Sequence, residues 1–123
     1  MTQTLPKRER LSGKTAIGTL MKKGRWGAAG CLRYCVLAPG GDGITRIMVS
    51  VSKRNFKRAV KRNLLKRRLR ESYRTQKELL GEAGPVDLLL VYNSKEIADY
   101  ALIREDVATV LRAIAEARTT EMP

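Results

Sequence analysis

The chain contains no histidine, and that one absence removes the imidazole most often used as a general base, a proton shuttle or a zinc ligand. A histidine-dependent nuclease or protease is therefore excluded. Cysteine is almost as scarce: Cys31 and Cys35 stand four apart in an apolar stretch, with no third thiol or imidazole to complete a metal site. They read as buried, reduced filler. Long hydrophobic runs are missing too, since no run, residues 88–92 included, exceeds five residues, far short of the roughly 20 residues that span a bilayer. Residues 1–10 carry Lys7, Arg8, Glu9 and Arg10, and no apolar stretch follows them, so no secretory signal is expected and the reading is a soluble, cytoplasmic protein with no membrane partner. No segment is low in complexity and no period of about 20 to 50 residues recurs, which removes solenoids and propellers. Carboxylates are the last deficit. Residues 1–74 hold only 3 acidic side chains, with Asp42 in a glycine-rich loop, Glu9 near the N-terminus and Glu71 among arginines, too few and too scattered for a two-metal nuclease centre.

Against these absences stands basic charge. With 25 Lys plus Arg against 12 Asp plus Glu, the 123 residues carry a formal charge of +13. The hydrophobic fraction of 43% is nonetheless that of a globular chain, and one domain of this length buries about two-thirds of the surface its unfolded chain exposes. A single domain over residues 1–123 is expected, with residues 1–10 and 117–123 as flexible ends. Charge is unevenly placed, for residues 1–74 hold 20 basic side chains whereas residues 75–123 hold 5 basic and 9 acidic. Such a localised footprint expects a polyanionic partner. Residues 53–74 place 11 basic side chains in 22 positions with Glu71 the single acid, and a block of that density repels itself unless water or an anion lies against it. Apolar residues threaded through the block argue for a folded element over a disordered tail.

Periodicity and punctuation mark alternating elements. Ser12 is placed to cap a short helix that Gly24 stops, with Leu11, Ile17, Leu20 and Met21 at helical spacing. Residues 31–38 read as a strand, 39–43 as a loop, and 44–51 as a second strand and hairpin partner of the first. From Asn55 or Phe56 a helical period runs to Leu80, closed by Gly81 and the Gly84-Pro85 pair. Residues 86–92 are short, almost wholly apolar and bounded by turn residues, as a central strand buried on both faces would be. Asp99 then caps a last helix with Ile103, Val107, Val110, Leu111 and Ile114 on one stripe. The order helix, strand, strand, long helix, strand, helix predicts an α+β fold, a two-layer α/β sandwich in which a strand-helix-strand unit makes one crossover.

Stepping about 100° per residue along the long helix from Val60, Leu65, Leu69, Tyr73, Gln76 and Leu80 share a sector about 80° wide and should face the sheet. Asn63, Lys66, Arg67, Arg70 and Arg74 share another, roughly 110° around the helix. Guanidinium groups at fixed spacing on a rigid helix can each grip a phosphate bidentately and also stack on bases, which fits RNA better than solubility alone. Asn63 adds a donor and an acceptor suited to a 2′-hydroxyl or a base edge, or to local backbone. Glu71, one turn from Arg67, Arg68 and Arg74, is expected to space the basic side chains, since a lone carboxylate in this field stays ionised.

The run Ala59-Val60-Lys61-Arg62-Asn63-Leu64-Leu65-Lys66-Arg67-Arg68-Leu69-Arg70-Glu71-Ser72-Tyr73-Arg74 resembles the signature A-V-x-R-N-x-x-K-R-x-x-R-E-x-[FY]-R of the protein component of bacterial ribonuclease P at every specified position. Val51-Ser52-Lys53-Arg54 resembles the V-S-K-K that precedes it, and Arg10-Leu11 with Lys22-Lys23-Gly24 resembles the opening helix. The likeness covers residues 7–114 and is specific over 51–74. It implies a left-handed crossover through the motif helix, and an accessory subunit of an endoribonuclease in which a catalytic RNA, with Mg2+, removes the 5′ leader of precursor tRNA. The protein itself would bind no cofactor and supply no catalytic residue. By matching position, Arg62, Asn63, Lys66, Arg67, Arg70 and Arg74 would contact the catalytic RNA, with Ser52, Lys53 and Arg54 flanking that surface.

Two departures from the family pattern stand out. The stretch between Ser52 and Ala59 is one residue longer than usual and lacks the usual glycine, so the start of the helix should differ locally. Ile17 and Met21 occupy positions where the family often carries aromatics toward the cleft that holds the leader; with Tyr34 they form the expected leader cleft by apolar packing, unless all three are plain core. Competing readings are a ribosomal or general structured-RNA binder, a protein-only nuclease using Asp42 or Glu9, and a DNA-binding basic helix. The last lacks both a zipper heptad and a helix-turn-helix pair.

Overall fold

The computed structural model describes residues 7–38, 43–81 and 84–121, without the side chains of residue 7 and of residues 118–121. Its elements are α1 (Lys14–Lys23), β1 (Arg25–Ala29), β2 (Leu32–Leu37), β3 (Arg46–Val51), α2 (Ala59–Arg74), β4 (Asp87–Tyr92) and α3 (Tyr100–Glu121), with 3-10 turns at Lys7–Glu9 and Lys77–Leu80. The α+β class is the one expected, with one strand more. Arg-Trp-Gly-Ala-Ala of β1 offers no β-branched residue and carries a glycine at its centre, so its period gives no strand signal. It forms because β2 recruits it. The Tyr34 ring lies across Gly27, where a Cβ would come within 2.4 Å of the ring.

The sheet runs β1-β2-β4-β3, antiparallel for β1/β2 and β2/β4 and parallel for β3/β4. This corrects the expected hairpin, because β2 turns back to β1 through Gly30-Cys31 and β4 lies between β2 and β3. The physical reason lies in β4, whose Leu88, Leu89 and Leu90 bury on both faces and so claim the centre of the sheet. α2 is the crossover joining parallel β3 and β4. Along the exposed edge of β3, Arg10 bridges to Ile47 and the Leu11 N–H donates to the Ile47 carbonyl at 2.7 Å, which covers part of an edge that would otherwise invite pairing.

Alternation along β4 sends Leu88, Leu90 and Tyr92 to one face, where Leu65, Leu69 and Tyr73 of α2 and the whole expected stripe of α3 complete the main core. Leu89 joins Leu11, Leu20 and Cys35 in a smaller cluster under α1 on the other face. Asp99 caps α3 as expected, its Oδ1 accepting the Leu102 N–H at 2.9 Å. Ser12 does not cap α1. The buried Leu11 holds the chain extended on β3, so the turn into the helix falls one residue later, at Gly13, which has φ 96° and no side-chain cap. The long helix is also shorter than its period, ending at Arg74. Gln76 leaves the helical path and buries its side chain, with Nε2 donating to the Ser72 and Arg104 carbonyls at 2.9 Å. Residues 1–6 and 122–123 of the ends expected to be flexible, and residues 39–42 of the expected loop, lie outside the described residues.

Leu69 is fully buried between α2 and the sheet. Leu69→Ala should destabilise the protein by about 2 to 5 kcal/mol in urea or thermal unfolding. Both cysteines are unpaired thiols, as expected, but only Cys35 is buried and Cys31 is half-buried. Cys35 is buried and donates to the Leu20 carbonyl at 3.3 Å; Cys31 places its N–H and thiol 3.0 and 3.1 Å from Asp106 Oδ2. Gly30 beside it, at φ +56°, lets the carboxylate approach, since a Cβ there would lie 2.3 Å from the Asp106 oxygens. Burial first, then the hydrogen bond and charge of Asp106, push the Cys31 thiol up to about 12 from 9.0. A raised folded value means that the contribution to stability is complete below about pH 9 and fades as the pH climbs toward 12. Thiol reagents at pH 8 should label native Cys31 far more slowly than the unfolded chain, and Asp106→Asn should accelerate that labelling, as read by mass spectrometry.

Candidate nucleic-acid interface

α2 buries Leu65, Leu69, Ser72 and Tyr73, and its outward flank carries the charge. Its first turn holds no acid and Arg58 at the N-cap makes no side-chain cap, so the positive end of the helix dipole adds to the field of the lysines and arginines. Asn63 and Arg67 are exposed, Lys66 and Arg70 half-buried, and Arg74 lies in a fork on Glu71, with Nε and Nη2 at 2.8 and 2.7 Å from Oε2. Those five residues share one flank as the period implied. Glu71 is thereby the spacer the sequence suggested, holding Arg74 in place.

Arg62 goes elsewhere. Its Nη1 donates to the Phe56 and Lys57 carbonyls at 2.7 and 2.8 Å, tying down the longer, glycine-free stretch that precedes α2. Lys53 and Arg54 are exposed in the turn after β3, where the Arg54 N–H donates to Ser52 Oγ at 3.0 Å. The stripe also gains a member that helical periodicity could not supply, Arg10. Its charge, after burial, lowers the Arg70 pKa, though a guanidinium stays cationic at neutral pH. Lys77 holds this segment down through Glu9 at 2.9 Å. The available signal was local: Arg10 adjoins Leu11, whose burial against β3 fixes where the arginine stands.

The three residues expected in a leader cleft are not brought together. Ile17 packs with the cluster under α1 and Met21 is 49% exposed, whereas Tyr34 packs on the opposite face of the sheet, with the main core. Two residues missed from the sequence share the α1 face. Trp26 pairs with Cys35 in register and so points with it toward α1, and Arg33 sits with its Cζ 5.2 Å from the Trp26 ring centroid, a cation–π distance. Trp26 is 41% exposed. Its strand, Arg-Trp-Gly-Ala-Ala, carries no period that would signal it.

Four of the carboxylates are engaged by other groups: Glu9 by Lys77, Glu71 by Arg74, Asp87 by Arg46 and Asp106 by Cys31. Among the described residues no group of three or more acids or cysteines could hold a metal ion, and Asp42 lies outside them. No helix of the described residues is long and apolar enough to cross a membrane.

Fold and surface together define a small basic α+β protein whose crossover helix turns a cationic flank outward. The family model for ribonuclease P matches residues 5–121, and the chain belongs to that family. A ribonuclease P protein component from Porphyromonas gingivalis is 39% identical over 80 residues, which cover 63% of this chain and 58% of that relative's length. One from Picosynechococcus is 32% identical over 92 residues, 75% of this chain and 78% of the relative. The RNase P protein of Thermotoga maritima superposes with a TM-score of 0.73 at 23% identity, covering 86% of this chain and 97% of that one, a likeness of fold.

Proposed function

We propose that this chain is the protein subunit of ribonuclease P: it binds the catalytic RNA through α2 and helps that RNA remove the 5′ leader of precursor tRNA. The observation that carries the reading is the single flank of Asn63, Lys66, Arg67, Arg70 and Arg74 on a helix anchored by Leu65, Leu69 and Tyr73, because only a rigid scaffold holds five polar heads at phosphate spacing. Arg10, Lys53 and Arg54 extend it. The leader would lie on the α1 face of the sheet, where Met21 and Trp26 offer apolar and aromatic surface and Arg33 a cation, the combination that holds single strands by stacking. Mg2+ chemistry belongs to the RNA in this reading, and the two acids beside the basic flank are held by cations, Glu71 by Arg74 and Glu9 by Lys77. Such a protein works in the cytoplasm, and its own residues neutralise and position phosphates.

Reconstitution tests it. Added to a bacterial ribonuclease P RNA at low Mg2+, the purified chain should restore cleavage of a precursor tRNA at the mature 5′ end. Tight, salt-sensitive RNA binding without rescue would instead make it a general structured-RNA binder.

A further inference from the structure

On the side of α2 away from Lys66, a groove of about 390 Å3 separates the helix from the start of α3, lined by Leu64, Arg67, Arg68, Glu71, Arg74 and Tyr100. Its volume falls near the lower end of small-ligand pockets. The floor is apolar. Leu64 is half-buried and Tyr100 keeps 37% of its surface exposed, while Val60, one turn before Leu64, is the most exposed large apolar side chain of the described residues at 79%. Apolar side chains at the edge of a strongly cationic face serve no purpose in gripping phosphates, and one carboxylate there opposes it.

The walls are fixed. Arg68 Nη1 donates to the Ala98 carbonyl at 2.5 Å, binding α2 to the segment that leads into α3. Asp99 caps the turn that carries Tyr100, and the Arg74 fork holds Glu71. Arg67 and Arg74 belong to this rim and to the RNA-facing flank at once, so a strand following that flank passes directly over the groove.

We propose that this groove is a nucleobase site, which receives one unpaired base of the RNA bound along α2, stacked on Tyr100 against Leu64, with Arg67 and Arg74 on its adjoining phosphates. The proposal rests on the RNA-binding reading of α2 and adds a base-contacting subsite to it. Glu71, which holds Arg74 in the phosphate-binding flank, gains a second role at this site: a carboxylate accepts from the amino edge of a base such as cytosine. A base paired within a helix cannot enter, whereas one splayed from a loop or bulge can stack on an aromatic ring. A base fits this lining better than an apolar peptide does, because the guanidinium rim is continuous with the polyanion-facing surface.

The test measures affinity of the full-length chain for a bacterial ribonuclease P RNA across a range of salt. Tyr100→Ala should weaken binding about tenfold, within the range expected for loss of one base–aromatic stack, with the slope of log K against log salt unchanged; Tyr100→Phe should bind as wild type. Tyr100→Lys adds a cation, so a purely electrostatic groove would bind more tightly, whereas a base site binds more weakly despite the charge. Because Lys is as foreign to the groove's packing as Ala, each variant is read beside its melting temperature, and weakening in proportion to lost folded protein would overturn the site. Wild-type affinity in both Ala and Lys variants would overturn it too, and loss of concentration-dependent self-association in them, by sedimentation, would give the groove to a second copy of the chain. The two readings separate cleanly. If Arg67→Ala, Arg70→Ala weakens binding about 100-fold while Tyr100 variants do not matter, the helix binds RNA and the groove does not.

Discussion

The Arg67→Ala, Arg70→Ala double variant should bind ribonuclease P RNA about 100-fold more weakly than wild type at moderate salt, with a melting temperature changed by no more than a degree or two. The magnitude follows from two lost charge-assisted contacts to phosphate, at about 1.5 kcal/mol each by the lower figure for hydrogen bonds to charged groups, where about 1.4 kcal/mol is tenfold. The small thermal effect follows from position, since Arg67 is exposed and the charge of half-buried Arg70 is disfavoured first by burial and then by the charge of Arg10. Removing Arg70 relieves that repulsion. The salt slope should also flatten, by about one for each phosphate contact removed. Leu69→Ala should show the opposite pattern, with stability lost and the affinity of the folded fraction kept. Equal melting losses in all of these variants would mean that the helix faces are assigned the wrong way round.

The asymmetry between the faces of α2 was legible because it is written in one local period. Leu65, Leu69 and Tyr73 recur at four-residue steps, and any helix through them must turn Lys66 and Arg70 to its flank. The same holds for the buried stripe of α3 and its Asp99 cap. What sequence could not supply was pairing between distant strands. The reading that joined residues 31–38 to 44–51 failed because adjacency along the chain is only a tendency, and the triple leucine of β4 outcompeted it for the middle of the sheet. Faces are set by the same long-range pairing: strand alternation places Tyr34 on the side of the sheet opposite Ile17, and Trp26 sits in a strand whose glycine and alanines carry no period. Arg62 shows another limit. A motif position fixes a residue type, whereas the bonds of its Nη1 to the Phe56 and Lys57 carbonyls depend on a loop that no period describes.

Arg46→Ala should be among the most destabilising single changes in the protein, at about 3 to 5 kcal/mol, the range for stripping one partner from a buried ion pair. Arg46 and Asp87 open β3 and β4 and stand opposite each other in the parallel register. The guanidinium meets the carboxylate as a fork, Nε to Oδ1 and Nη2 to Oδ2, both at 3.2 Å, and only 5% of the Asp87 side chain is exposed. Aspartate is a poor strand residue, and in this central strand it is tolerated because the fork satisfies both oxygens. Backbone bonds gather at the same point, where the Arg46 N–H donates to the Val86 carbonyl at 3.0 Å and the Val86 N–H to Thr45 Oγ1 at 3.3 Å. The pair therefore fixes where the crossover strand begins to zip onto its parallel neighbour. Against a total stability of about 5 to 15 kcal/mol, the loss should lower the melting temperature by roughly 10 to 20 °C. Replacing both groups, as Arg46→Met with Asp87→Leu, removes the uncompensated charge and should recover most of it, since apolar substitutes for a buried pair are often neutral. Thermal unfolding of Arg46→Met, Asp87→Leu and the double variant beside wild type forms a cycle whose coupling should exceed about 2 kcal/mol, near the upper end for contacting residues; additive losses would mean that the carboxylate finds water or another donor once Arg46 is gone. RNA affinity of the folded fraction should stay unchanged throughout, because the fork supports the sheet beneath α2 and lies off its charged flank.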